Sequence, residues 1–95
     1  MTEKLFVVVI YDISNDRRRT RLHKILKNYG TPVQYSAFEC LLEHSELKRM
    51  KKEISKTLRP KSDHLRYYYI CDACKDKIQV IGRTEVTEEK EVIVV

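Results

Sequence analysis

No apolar run in this 95-residue sequence approaches the roughly 20 residues needed to cross a bilayer. The opening MTEKLFVVVIYD lacks the apolar core and small-residue cleavage site of a secretory signal, so a cytoplasmic protein without a membrane partner is expected. There is no low-complexity linker and no internal repeat, which leaves one domain over residues 1–95 with a modest core. Three cysteines are an odd number for a disulfide framework. Cys71 and Cys74 form one CxxC, but no second CxxC is present to complete the four ligands of a structural zinc. Cys40, or the same pair from another subunit, would have to complete it. Ordinary reduced thiols are the simpler reading, and zinc or redox chemistry the alternative. None of His23, His44 and His64 is spaced with another ligand as a metal motif.

Charge, by contrast, is plentiful. Charged residues make up 35% of the chain and the formal net charge is +5, a balance that favours polyanionic partners without proving one. The cations are clustered. Arg17, Arg18, Arg19, Arg21, Lys24 and Lys27 crowd one stretch, and Lys48, Arg49, Lys51, Lys52, Lys56, Arg59 and Lys61 another. The tail is acidic, with Glu85, Glu88, Glu89 and Glu91.

Hydrophobic periodicity divides the chain into alternating elements. Leu5 to Tyr11 (LFVVVIY) is β-branched and aromatic, apolar on both faces, and reads as a central strand. Leu22, Ile25, Leu26 and Tyr29 then fall on one helical face. Ser14 or Asn15 can cap that helix, Gly30 can close it, and Pro32 prevents its continuation. Val33 to Leu42 (VQYSAFECLL) reads as a second strand. Ser45 can cap a second helix carrying Leu47, Met50, Ile54 and Leu58, which Arg59-Pro60 stops. Leu65 to Cys71, Lys77 to Ile81 and Val92 to Val95 read as further strands. Five strands and two helices suggest an α+β, ferredoxin-like sandwich, βαββαβ with an extra C-terminal strand. Two helices cover only one sheet face. A second copy of the chain is the simplest cover for the other, giving a sheet-on-sheet homodimer. Residues 83–95 then form a C-terminal extension whose VIVV would pair with a neighbouring sheet.

The stretch YDISNDRRRTRLHKIL places an acid, Asp12, directly after a buried strand and three arginines at the start of a helix. Cations in a first helical turn oppose the helix dipole by about 0.3–1 kcal/mol each where exposed. A phosphate resolves that conflict, because arginine forks bind its oxygens and the free helix N–H groups point the same way; the plainer reading is a solvated charged face. Asp12 alone is either a loop acid or a poor magnesium ligand. A two-fold axis near the strand end would bring two copies of it together. Such a pair could hold a hydrated Mg²⁺ or Mn²⁺ that activates water against a phosphodiester. Tyr67, Tyr68 and Tyr69 read as core or dimer interface, with base stacking as the minority option. The RNA-recognition motif shares the element order, but its third-strand signature is missing.

The block VVVIYDISNDRRRTRLHKILKNYGTPVQYSAFEC resembles the N-terminal signature of the small CRISPR-associated Cas-two family: hydrophobic strand, YDI, acidic turn, basic helix, YG, then VQ.S.FE. The match is strong from Val7 to Glu39, and VIG at Val80 to Gly82 also resembles the family's ending. The resemblance implies a ferredoxin-like homodimer whose C-terminal strand joins the partner's sheet. It implies a metal-dependent endonuclease on single-stranded RNA or double-stranded DNA. It also implies a scaffold in spacer acquisition that bridges subunits of the CRISPR integrase (Cas-one family) and holds duplex DNA. By the same resemblance the metal-binding aspartate is Asp12 and its adjacent tyrosine Tyr11. The helix arginines of nuclease action map to Arg19 and Arg21, and the strand-two aromatic to Phe38. Arg17, Arg18, Arg19, Arg21 and Lys24 are the expected nucleic-acid contacts. Some members carry an arginine just before the VQ pair. Pro32 stands there in this chain, so no role of that arginine transfers. Two other readings are a non-catalytic nucleic-acid-binding adaptor and a toxin-like ribonuclease of the same fold.

Overall fold

The structure, a computed structural model, describes residues 3–82. Strand β1 (Leu5–Asp12) is followed by helix α1 (Asp16–Lys27), strands β2 (Gly30–Gln34) and β3 (Ala37–Leu42), helix α2 (His44–Thr57), strand β4 (His64–Ile70) and a single helical turn, α3 (Asp72–Lys75). The sheet order is β2-β3-β1-β4 with every pair antiparallel, the ferredoxin-like arrangement expected from the sequence.

The four strands are not the ones expected. Val33 to Leu42 is not one strand: the chain turns at Tyr35-Ser36 and folds back, so β2 pairs with β3. Ser36 is the only common turn former there, and the flanking apolar residues hide the break. Pro32 lies inside β2, where an edge strand tolerates the missing N–H. Lys77 to Ile81, expected as a strand, forms none: the Lys77 and Ile78 N–H groups are spent on turns back to Cys74 and Lys75. Val92 to Val95 and the 83–95 extension lie outside the described residues.

The caps follow local chemistry. Asn15 is the N-cap of α1, its side chain accepting from the Arg18 N–H at 2.9 Å. Helix α2 starts at Glu43 rather than Ser45, through a reciprocal capping box with Glu46. Helix α1 ends at Asn28, and Gly30 instead opens β2. A Cβ on Gly30 would collide with the Cys40 sulfur and the Glu39 carbonyl, so glycine is needed there for close strand approach.

Alternation along β1 sends Val7, Val9 and Tyr11 toward the helices. There they meet Phe38, Cys40 and Leu42 of β3, Leu22 and Leu26 of α1, and Leu47, Met50 and Ile54 of α2. Each fully buried aliphatic or aromatic side chain contributes about 1.5–3 kcal/mol. Phe6, Val8, Ile10 and Asp12 point to the opposite face, beside Leu41 of β3 and Arg66, Tyr68 and Ile70 of β4. Neither α1 nor α2 packs on that face; among the described residues only the single turn α3 reaches it, at the Phe6 end. Ile10 and Tyr68 are 41% and 42% exposed, whereas Phe6 is buried with the Lys75 ammonium over its ring at 5.4 Å.

Candidate active site and nucleic-acid interface

Asp12 ends β1 on the open sheet face and is exposed. Antiparallel pairing sets His64 directly opposite it and Arg66 opposite Ile10. Side chains paired this way have Cβ atoms about 4.5–5.5 Å apart. Asp12, His64 and Arg66 line one open cleft of about 500 Å³, with Pro60 and Leu65 among its walls. Asp12 makes no hydrogen bond to any described residue, which leaves its carboxylate free to take a ligand.

Each arginine of the helix start has its own task. The Arg18 guanidinium forks onto the buried Asp63, Nε to Oδ2 at 2.7 Å and Nη2 to Oδ1 at 3.1 Å, and reaches Ser62 Oγ at 3.3 Å. Asp63 also accepts the Arg59 backbone N–H at 2.9 Å. Arg19 donates to the Ile13 carbonyl at 2.9 Å and pairs with Asp16, which closes the β1–α1 turn. Arg17, Arg21 and Lys24 make no hydrogen bond or ion pair to described residues, and with Asp16 and Thr20 they line a shallow groove of about 480 Å³. The positions 17, 21 and 24 form one exposed stripe of α1.

Arg18 holds the Asp63 carboxyl below its ordinary range, first through the side-chain hydrogen bond and then with the help of the Arg59 N–H. A depressed folded pKa adds stability that is present above the unfolded value, about 3.9, and is lost as pH falls through the folded value. Asp63→Asn should therefore lower the melting temperature at neutral pH and flatten its decline below about pH 4. Thermal unfolding followed by circular dichroism from pH 2 to 7 checks this, and an unchanged slope would count against the pair.

Residues 5–78 match the family model described as CRISPR associated protein Cas2. The chain belongs to the Cas2 family. The CRISPR-associated endoribonuclease Cas2 of Mycobacterium tuberculosis is 45% identical over 86 residues, covering 90% of this chain and 75% of that protein. The crystal structure of Streptococcus pyogenes Cas2 at pH 6.5 has a TM-score of 0.71 at 26% identity, covering 81% of this chain and 99% of that one. A chain of a partial Cas6-RT-Cas1–Cas2 complex has a TM-score of 0.73 at 21% identity, covering 96% and 99%, a likeness of fold.

Within this Cas2-family chain the residues singled out by sequence do not form one cluster. Asp12 lies in the open-face cleft. Tyr11, its neighbour, points the other way and is 3% exposed, its hydroxyl donating to the Tyr35 carbonyl at 3.3 Å. Burial raises its phenol above the ordinary value against the pull of the Arg19 guanidinium, which makes it a donor rather than a base. Phe38, expected at the site, is fully buried among the helix-facing residues, with Tyr11 stacked 6.4 Å away and His23 edge-on at 5.1 Å. Strand alternation is the reason: Phe38 pairs with Val9, a core position, and cannot reach a substrate from there. Arg18, expected to bind nucleic acid, is committed to Asp63. Arg19 braces the turn beside Asp12, and Arg17, Arg21 and Lys24 form the free stripe.

His64 and Arg66 line the cleft with Asp12 but carry no local sequence signal. Their signal is the β1–β4 register, which sequence pattern alone does not fix. Among the described residues no three metal-ligating side chains cluster. Of the described residues that line the cleft, Asp12 is the one carboxylate without a side-chain partner, too few oxygens for magnesium without waters, substrate or a second copy. No helix among the described residues is long and apolar enough to cross a membrane.

Proposed function

We propose that this protein is a cytoplasmic homodimeric endonuclease of CRISPR spacer acquisition, cutting a phosphodiester in single-stranded RNA or duplex DNA at a centre that two chains build together. The observation that carries this reading is the free Asp12 carboxylate on a half-apolar sheet face that neither α1 nor α2 covers. A second copy packed back to back buries Val8, Ile10 and Tyr68 and brings Asp12 of the partner subunit toward the first. Two such carboxylates, with waters and a substrate phosphate, fit a hydrated Mg²⁺ or Mn²⁺. That ion would supply the activated water and offset charge on the phosphate. Arg66, on the same cleft, holds the phosphate oxygens. The His64 imidazole, opposite Asp12, lines the same cleft and can hydrogen-bond a substrate there. The tuberculosis relative is named as an endoribonuclease, which supports RNA as the first substrate to try. A cleavage panel over single-stranded RNA and duplex DNA, with Mg²⁺, Mn²⁺ or chelator, tests the reading. Cleavage unaffected by chelator would end it.

A scaffold role on the same molecule is favoured by the unpartnered stripe of Arg17, Arg21 and Lys24. Those cations seat a duplex backbone while an integrase of the Cas1 type docks elsewhere; in the partial Cas6-RT-Cas1–Cas2 complex, Cas1 and Cas2 belong to one assembly. Replacing all three by alanine removes about three phosphate contacts, and the slope of log affinity against log salt should fall by roughly 0.9 per contact. Duplex binding measured by fluorescence anisotropy across salt concentrations checks this; an unchanged slope would move the interface elsewhere.

A further inference from the structure

The CxxC plays no part in the proposed nuclease or scaffold. Cys71 is the first residue after β4 and caps the helical turn α3, and Cys74 lies three residues on, within that turn. Both thiols are exposed and free, whereas Cys40 is buried. Cys40 cannot join them. Cys40, Val7 and Tyr69 run in a row across three strands, which sets Cys40 two strand spacings, roughly 10 Å, from the β4 edge. Burial also pushes the Cys40 thiol up to about 12 and leaves it inert.

The local geometry suits a bond between the two exposed sulfurs. The Lys75 N–H donates to the Cys71 carbonyl at 2.8 Å and the Lys77 N–H to the Cys74 carbonyl at 3.0 Å, so the backbone around both residues is closed into consecutive turns. Residues at the ends of such a turn have Cα atoms under about 7 Å apart, and a disulfide needs about 4.4–6.8 Å. The Cys74 backbone and side chain beside it draw the Cys71 thiol below its ordinary value, and the neighbouring Cys71 sulfur raises the Cys74 thiol above its own. The pair is thus divided into an attacking and a resolving thiol.

We propose that Cys71 and Cys74 form a thiol–disulfide exchange site that reacts with small-molecule disulfides of the oxidised-glutathione class. The Cys71 thiolate attacks one sulfur of the oxidant, forming a mixed disulfide and expelling one thiolate. Cys74 loses its proton to solvent and attacks the Cys71 sulfur. The internal disulfide forms, the second thiolate leaves, and two electrons have passed from the protein to the oxidant. The closed ring fixes the turn that carries Lys75 over Phe6. Cys71 follows Ile70, the partner of Phe6, and Asp12 is six residues farther along β1, roughly 20 Å away. The exchange site is therefore independent of the nuclease reading, and either can fail without the other.

The test uses the full-length protein and oxidised glutathione, read by intact-mass and peptide mass spectrometry with timed alkylation. The expected result is an internal Cys71–Cys74 disulfide with Cys40 still reduced. Cys74→Ser should trap glutathione on Cys71. Cys71→Ser should react at least ~10-fold more slowly, since exchange follows the thiolate fraction of the attacking thiol. Three results would each overturn the proposal: stable glutathione adducts on both residues of the wild type, cross-links only between chains, or thiols protected by a stoichiometric zinc that survives dialysis. Equal reaction rates for the two serine variants would also overturn it, by removing the distinction between attacking and resolving thiols.

Discussion

In the proposed two-chain nuclease, Asp12→Asn is expected to leave the fold intact and to reduce metal-dependent cleavage by on the order of 10²-fold or more. The amide keeps the size of the carboxylate and loses its charge. Asp12 is exposed at the end of β1 and supports no described hydrogen bond, so the fold has little to lose. Residues that merely orient a metal ligand cost about 10–100-fold when mutated, and a ligand itself should reach or pass the upper end. In the proposed dimer each substitution is counted twice, because a single two-fold centre contains both copies. Mixed dimers of wild-type and Asp12→Asn chains should therefore fall well below half the wild-type rate. The measurement is initial-rate cleavage of single-stranded RNA at saturating Mg²⁺, with the variant purified in parallel to control for contaminating nuclease. Full activity in Asp12→Asn would remove this residue from the chemistry and leave the scaffold reading standing.

Phe38→Ala is the most destabilising single change expected. The ring is fully buried between Tyr11 and His23, beside Val9 on the adjacent strand. Truncating a buried phenylalanine to alanine typically costs about 3–5 kcal/mol, through lost transfer energy and the cavity left behind. Small domains are stable by only about 5–15 kcal/mol, so much of the population would unfold near body temperature. Loss of cleavage in this variant would say nothing about catalysis. Phe38→Leu separates the two roles, because it keeps most of the volume and removes the aromatic ring. It should fold, melt several degrees lower by calorimetry, and cut RNA at close to the wild-type rate. A Phe38→Leu protein that melts as wild type but no longer cuts would place the ring in the chemistry after all.

The same separation runs through the arginines. Sequence presents Arg17, Arg18, Arg19 and Arg21 as one cationic cluster facing a phosphate. In the fold a helix turns about 100° per residue, so adjacent arginines point in different directions. Arg18 meets Asp63, and Arg19 meets the carbonyl of Ile13. Only Arg17 and Arg21 reach the same open groove, with Lys24 one turn on. The frustration visible in the sequence is resolved in part by the protein's own acids and carbonyls, and only the remainder is free for nucleic acid.

Local chemistry was legible without coordinates. The Asn15 cap, the apolar stripes of both helices, the central strand and its final acid all rest on short-range rules of period and capping, which the sequence states directly. The block from Val7 to Glu39 was enough to place the family. Tertiary structure alone decided what depends on register and on residues distant in sequence. It split VQYSAFECLL into a hairpin, turned Phe38 into the core, gave Arg18 to a carboxylate 45 residues away, and set His64 opposite Asp12. The reason is that a strand's two faces differ by a single-residue shift, and a pairing partner is chosen by long-range packing that no local pattern records.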